Sequence, residues 1–492
     1  MTKKELETLR REAEASYSQV SAGKYRLHFH LMPPVGWLND PNGLCVYRHE
    51  YHVFFQYSPE SPGGGHKFWG HYVSPDLVNW TYLGAPLLPD TDKDRDGVYS
   101  GSAFTGDGQL EVFYTGNVKE KGNFDYIFAG RGANVLYTKS SDGVNFEEKQ
   151  LLLANQDYPS CYTCHVRDPK VFKEKGQYYM ILGGRRKNDQ GAVMIYTSSD
   201  KKDWTLLKEI STQKPFGYMW ECPDLFEVKG KHFLLCCPQG LKAEKERYQN
   251  LYQSGYFICD ETVLEDTGDY TCLPEDFTEL DRGFDFYAPQ TFTDEQGRRI
   301  LIGWAGIPEE TRYTNEPIIQ EGWQHCLTVP RQLDFDGRIL RQNPVKELEN
   351  LRVRELSLND GPVKADAFDL IMTFEGDQQS VTFNEDLKLD CREGLVTLTF
   401  LNDSGAGRTR RCARLLGKDS HIRNLRILKD TSLLEIYVND GELVFTTKYF
   451  PEDPTHTVIK TSQTVQSAKL WELCRMEVKM NGDEKKYTAG DR

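Results

Sequence analysis

Ser74-Pro75-Asp76-Leu77-Val78-Asn79-Trp80 returns as Ser140-Ser141-Asp142-Gly143-Val144-Asn145-Phe146 and again as Ser198-Ser199-Asp200-Lys201-Lys202-Asp203-Trp204. The copies begin 66 and 58 residues apart. Recurrence on this scale marks a repeat architecture. A second pattern runs in parallel: an apolar strand, a tight polar turn and another apolar strand. Its copies are GLCVYRHEYHVFFQY from Gly43, SAFTGDGQLEVFYTG from Ser102, PKVFKEKGQYYMILGG from Pro169, PDLFEVKGKHFLLCC from Pro223 and PQTFTDEQGRRILIGW from Pro289. A unit of about 60 residues holding four strands is a propeller blade, and five of them fill about 300 residues.

The sequence therefore predicts an all-β protein, a five-bladed β-propeller over residues 26–335. Residues 1–25 read as a short charged helical segment, with Leu6, Leu9 and Ala13 on one side. Residues 336–355 are charged and read as a linker. Residues 356–492 alternate again, as in Phe368–Phe374, Leu395–Phe400 and Leu434–Val438, and predict a C-terminal β-sandwich.

The chain has 492 residues, 60 Lys plus Arg and 74 Asp plus Glu, for a net charge of −14. That balance argues against nucleic acid or an anionic membrane as partner. The polar opening MTKKELETLRREAEASYSQV is not a secretory signal, and no apolar run is long enough to span a bilayer, so the expected location is cytoplasmic. The 12 cysteines then read as reduced thiols. Cys161-Tyr162-Thr163-Cys164-His165 has no second pair at ligand spacing, so neither a metal nor another cofactor is expected.

In a propeller the innermost strand of each blade lines the central channel. The five hairpins open with Trp37-Leu38-Asn39-Asp40-Pro41, Tyr99-Ser100-Gly101, Arg167-Asp168-Pro169, Trp220-Glu221-Cys222-Pro223 and Tyr287-Ala288-Pro289. Asp40, Asp168 and Glu221 read as occupying equivalent positions of three blades. One Asp-Pro alone is an ordinary turn. Three acids converging on one axis beside aromatics, Asn and Arg are what glycoside hydrolysis needs: one carboxylate to attack or assist water, and one acid to protonate the leaving oxygen.

These motifs resemble the signatures of glycoside hydrolase family 32, the invertase, fructanase and sucrose-6-phosphate hydrolase family. The resemblance extends to Phe68-Trp69-Gly70-His71, Tyr99-Ser100-Gly101-Ser102, Gly303-Trp304 and Glu435–Glu442, nearly the whole chain. It implies a propeller followed by a sandwich, and retaining β-fructofuranosidase activity on sucrose or sucrose 6-phosphate through a covalent fructosyl-enzyme. Fructan hydrolysis and fructosyl transfer are the alternatives. It implies Asp40 as nucleophile, Glu221 as general acid/base and Asp168, with Arg167 beside it, on the fructose hydroxyls. Trp37, Asn39, Gln56, Trp69, Tyr99, Ser100, Tyr287 and Trp304 are the implied pocket residues. The acid role asks for a raised pKa at Glu221. One departure stands out: Gly63-Gly64-Gly65-His66-Lys67 replaces a stretch that carries a further Trp in many members. It leaves an open rim where Lys67 and His66 could meet a phosphate. A non-catalytic sugar-binding propeller would be expected to lack Asp40 or Glu221. A relative acting on arabinan or xylan would not need the Trp37–Gly43 run.

Overall fold

The computed structural model describes residues 1–480 apart from 267, 359–360, 377, 418–419 and 463. Five antiparallel sheets follow one another along the chain. Their four main strands are Gly36–Tyr47, Glu50–Ser58, Phe68–Ser74 and Asn79–Tyr82; Val98–Phe104, Leu110–Lys119, Arg131–Ser140 and Gln150–Leu153; Tyr162–Glu174, Gln177–Arg186, Gly191–Ser198 and Thr205–Thr212; Met219–Val228, Lys231–Gln239, Gly255–Cys259 and Thr278–Glu279; and Tyr287–Thr293, Arg299–Trp304, Arg331–Phe335 and Leu340–Pro344. Each first strand packs on the first strand of the next sheet, and the fifth packs on the first, so the sheets are the blades of a closed propeller. Trp323–Gln324 seals the ring by pairing in parallel with Gly36 and Trp37.

The repeated motif is the turn between the third and fourth strands. Ser74 Oγ accepts from the amides of Asp76 and Leu77, while Asp76 Oδ1 accepts from those of Val78 and Asn79. Ser140 with Asp142 and Ser198 with Asp200 repeat the arrangement. Two small polar side chains thus satisfy turn amides that have no strand partner. The residue three after each Ser is left-handed: Leu77 at φ 67°, Gly143 at 81° and Lys201 at 66°. Trp80 and Trp204 close the turn by donating to Leu77 O and Lys201 O, both at 3.1 Å.

A six-stranded and a five-stranded sheet stack as the C-terminal β-sandwich. Strand Gln379–Phe383 alternates buried and half-buried residues, and its inward Val381 and Phe383 meet Leu370, Met372 and Ile427 from the facing sheet. Two segments fall outside the expected organisation. Within 336–355, Leu340–Pro344 is the outermost strand of blade five and Lys346–Leu351 a 3₁₀ turn. Its charged composition hides a period-two pattern that buries Leu340, Gln342 and Pro344. Glu477–Met480, expected in the sandwich, returns to the propeller and pairs in parallel with Asn79–Tyr82. Residues 481–492, also assigned to the sandwich, lie outside the described residues.

A buried ionic network joins propeller and sandwich. His30 bridges Asp430 at 2.9 Å and Glu435 at 3.0 Å, and Arg331 donates to Glu435 at 2.7 Å and Asp281 at 3.2 Å. All five side chains are fully buried. Burial opposes charge on His30, but the hydrogen bonds to both carboxylates outweigh it and raise its pKa to about 9. Burial likewise works against the carboxylate charges, and is overcome at Asp430 by His30 and at Glu435 by Arg331 and His30, leaving both at about 2. A raised His pKa gives stability that is fully present below the unfolded value of 6.5 and is lost as pH rises through about 9. The depressed acids give stability that is lost as pH falls toward about 2. His30→Gln is therefore expected to cost a few kcal/mol, about 2–3, between pH 4.5 and 6.5, with the gap to wild type closing toward pH 9. Melting temperatures of both proteins across that range check it; a pH-independent gap would refute the charged bridge.

Candidate active site

All five first strands bulge at the same level. Pairing with the second strand skips between Leu38 and Pro41, Val98 and Gly101, Arg167 and Lys170, Glu221 and Asp224, and Tyr287 and Gln290. Three of the bulges hold a proline, which has no N–H to give to a ladder, and in blade one Pro41 directly follows the skipped pair. In blade two Gly101 directly follows the skipped pair, and a Cβ there would stand 2.0 Å from Phe113 O. Asp168, Cys222 and Ala288, each just before its proline, are left-handed at φ 63°, 47° and 47°. The extra residue turns side chains that would otherwise pack between blades toward the channel.

Counted back from Pro41, Pro169, Pro223 and Pro289, and from Gly101 in blade two, the pit has two layers. The lower is Asp40, Ser100, Asp168, Cys222 and Ala288; the upper is Asn39, Tyr99, Arg167, Glu221 and Tyr287. Glu221 is thus not equivalent to Asp40 and Asp168, as the motif comparison had it. It stands one residue earlier, and in a strand one residue means the other layer. The hydrogen bonds follow the layers. Below, Ser100 Oγ donates to Asp40 Oδ2, Cys222 N donates to Asp168 Oδ2 at 2.9 Å, and the Cys222 thiol lies 3.9 Å from Asp40 Oδ2. Above, Arg167 Nε donates to Glu221 Oε1 at 2.9 Å and the Tyr287 hydroxyl to Oε2 at 2.7 Å.

The remaining expected residues separate into those that join this set and one that does not. Asn39 donates to Asp40 Oδ1 at 3.1 Å and Gln56 Oε1 at 2.6 Å, and Gln56 donates to Ser100 Oγ at 3.0 Å. Trp37 donates to Asn39 Oδ1 at 2.8 Å and meets Trp304 edge-on at 6.1 Å. Trp304 also meets Tyr287, at 6.5 Å. Tyr99 lies within electrostatic reach of Arg167. Trp69 is not in the pit. It is fully buried between blades one and two with Phe54 and Tyr114, and its indole N–H donates to Tyr99 O at 3.1 Å. Its place is structural, beneath Tyr99.

Sequence reading missed two partners. Gln239 donates to Glu221 Oε2 at 2.6 Å, and Thr115 Oγ1 accepts from Asp168 N at 2.8 Å. Both lie on second strands. Where a first strand starts and its antiparallel partner ends, the two share one face of the propeller, so second-strand ends were the places to look. Lys67, expected at the rim, donates to Asn39 Oδ1 at 3.2 Å and sits 5.0 Å above the Trp37 ring. His66 is held by Glu60 at 2.6 Å. Lys67 is thus a wall of the pocket beside Asp40.

The electrostatics differ from expectation. Arg167 pairs with Glu221 rather than Asp168. Asp168 is raised, by burial and then by the neighbouring Glu221 charge, to about 7. Asp40 is also raised, by burial first and by Glu221 second, against the hydrogen bonds from Ser100 and Asn39. Burial lowers Lys67 to about 8, with Asp40 and Glu60 opposing. His165 is lowered to about 3 by burial and the guanidiniums of Arg167, Arg131 and Arg185. Three carboxyls with directed donors and aromatic walls suit a sugar ring cleaved between an attacking carboxylate and a proton donor.

The family model for the glycosyl hydrolases family 32 N-terminal domain matches residues 30–344, and that for the family 32 C terminal matches 340–472. A sucrose-6-phosphate hydrolase of Bacillus subtilis is 39% identical over 94% of this chain and 97% of its own. One from Staphylococcus xylosus is 38% identical over 90% and 91%. Among solved structures, a sucrose-6-phosphate hydrolase from Lactobacillus gasseri superposes with a TM-score of 0.85 at 30% identity, over 95% of this chain and 97% of that one. A Bombyx mori GH32 beta-fructofuranosidase in complex with sucrose gives 0.82 at 28% identity, over 97% and 100%.

Proposed function

The chain belongs to glycoside hydrolase family 32, and from that premise we propose that it is a retaining β-fructofuranosidase that hydrolyses sucrose and sucrose 6-phosphate. The observation that carries the reading is the two-layer pit, with Asp40 and Asp168 in the floor and Glu221 above them. Asp40 attacks the anomeric carbon of the fructosyl unit from below. Its carboxylate is aimed by Ser100 and Asn39 and is spared from ion pairing. Glu221 gives its proton to the departing oxygen and then takes one from the water that releases fructose. Arg167, Gln239 and Tyr287 hold it in place. Asp168 binds fructose hydroxyls and balances the positive charge that develops on the ring. The twelve cysteines, all unpaired thiols, support a cytoplasmic site of action. Among the described residues no helix is long and apolar enough to cross a membrane.

The primary test is fructose release from sucrose, sucrose 6-phosphate and inulin, measured in parallel as kcat/KM. Substantial turnover of the two disaccharides is expected; inulin as the best substrate would favour a fructan hydrolase, and no release from any would overturn the reading. The pit also sets the pH profile. kcat/KM reports the free enzyme, and closely coupled acids titrate as a set. Protonation of the floor on lowering pH removes the nucleophile, and burial with the Glu221 charge raises both floor acids, so the acid limb should lie above the ordinary carboxylate range. In Asp168→Asn the limb moves to lower pH, because a charge beside Asp40 is gone. A limb that stays in place would separate Asp168 from this set.

A further inference from the structure

Beyond the fructosyl pocket, the same face of the propeller carries cations that the cleavage chemistry does not use. Arg131 opens the third strand of blade two, and Arg185 lies at the end of the second strand of blade three. Starts of first and third strands and ends of second strands share the face on which Glu221 stands. The loop between Glu120 and Gly130, closed at its base by the Glu120 amide on Gly130 O at 2.8 Å, leads directly into Arg131. That loop is tied to blade three: His165 Nε2 meets Tyr126 O at 3.1 Å, and Cys164 N donates to Ile127 O at 2.7 Å. Thr163 Oγ1 donates to Arg185 O at 3.0 Å, which fixes the other side of the same strand.

The three guanidiniums differ in how they are satisfied. Arg167 is paired with Glu221 and donates to His165 Nδ1 at 3.0 Å. Arg185 pairs with Asp189, an exposed carboxylate, and lies 4.6 Å over the Tyr218 ring. Arg131 is half-buried, and its side chain makes no hydrogen bond or ion pair among the described residues; its Nε is buried without a partner. Both Arg167 and Glu221 are within its electrostatic reach. Arg10, Arg26, Arg282 and Arg299 also leave one guanidinium nitrogen buried without a partner, but each donates a hydrogen bond through another nitrogen, as Arg131 does not among the described residues. A half-buried guanidinium left free beside another cation is held at a cost unless an anion arrives. The leaving group enters on the Glu221 side, because Glu221 protonates its oxygen. We propose that Arg131 and Arg185 form the subsite for a phosphate monoester on the leaving sugar, and so set the preference for a phosphorylated over a neutral disaccharide. Arg131 supplies free donors to the phosphate oxygens, and Arg185 exchanges Asp189 for them. This rests on the hydrolase reading above, whose aglycone it places.

The test is the ratio of kcat/KM for sucrose 6-phosphate to that for sucrose, in wild type, Arg131→Gln, Arg185→Gln and the double variant. Wild type is expected to favour the phosphorylated sugar. Each single substitution should lower the ratio roughly 10- to 100-fold, the loss of a charge-assisted contact. An unchanged ratio, or an equal fall for both substrates, overturns the assignment; the second would place the guanidiniums on sugar hydroxyls. Inhibition of wild type gives a readout that needs no variant. Glucose 6-phosphate should compete with sucrose at least 10-fold more tightly than glucose, by the same charge-assisted contact, and equal inhibition overturns the proposal. Fructose release from sucrose without a phosphate preference would overturn this subsite alone, whereas no release from either substrate would overturn the hydrolase reading beneath it.

Discussion

Asp40→Asn should lower kcat on sucrose by roughly 10⁴-fold or more while leaving the fold as stable as wild type or slightly more so. The first half follows from chemistry: an amide oxygen is too weak a nucleophile for acetal carbon, and no other floor carboxylate can take its place. Asp168 sits in the same layer, but the Cys222 amide holds its Oδ2 and burial holds its charge down. The second half follows from the electrostatics. Asp40 is buried among like charges, with Glu221 raising its pKa, so removing its charge relieves repulsion. The new amide meets Ser100 and Asn39, whose hydroxyl and carboxamide can reorient to suit it. Active sites commonly trade stability for function in this way. The measurement pairs steady-state kinetics with thermal melting. A loss under about 100-fold would remove Asp40 from the nucleophile's role, since that range is available to general acid–base effects alone. A large fall in melting temperature would instead mean that the carboxylate holds the bulge together.

How much of this was legible in the sequence depends on range. The Ser-x-Asp turn is a local device, closed within six residues by its own side chains, so its recurrence announced the blades. The three acids were legible because proline-marked bulges place them at recurring sites in the motif. Their layering was not. Glu221 stands two residues before its proline where Asp40 and Asp168 stand one before theirs, an offset that matching the motifs as wholes passes over. Gln239 and Thr115 were missed for a related reason: each comes from a second strand and reaches the pit through pairing between strands. Trp69 shows the opposite error. It flanks a recognisable motif, yet its strand turns the indole into the seam between blades. The His30 and Arg331 network joins residues about 400 and 100 positions from their partners, and no local pattern reports it.

Glu221→Gln carries the second large effect, and its value lies in how the loss divides between substrates. On sucrose kcat should fall about 10³- to 10⁴-fold, at the upper end of what proton transfer supplies. An aryl β-fructoside has a leaving group that departs without a proton, so formation of the fructosyl-enzyme should survive largely intact. Its hydrolysis still needs a base, which the glutamine cannot be. The covalent intermediate should then accumulate, detectable by mass spectrometry on the peptide that bears Asp40, and a burst should precede slow turnover. Structurally the variant is mild: Arg167 can still donate to the glutamine oxygen, and Gln239 or Tyr287 can accept from its nitrogen. The ion pair with Arg167 is lost, however, and that guanidinium is buried, so some fall in melting temperature is expected. Equal losses on both substrates with no adduct would mean that Glu221 positions Arg167 and Tyr287 without moving a proton. A loss of the first step confined to sucrose, with the adduct from the aryl fructoside trapped on Asp40, would assign both carboxylates their roles in one experiment, because the intermediate forms only if Asp40 attacks and persists only if the base that activates the water is gone.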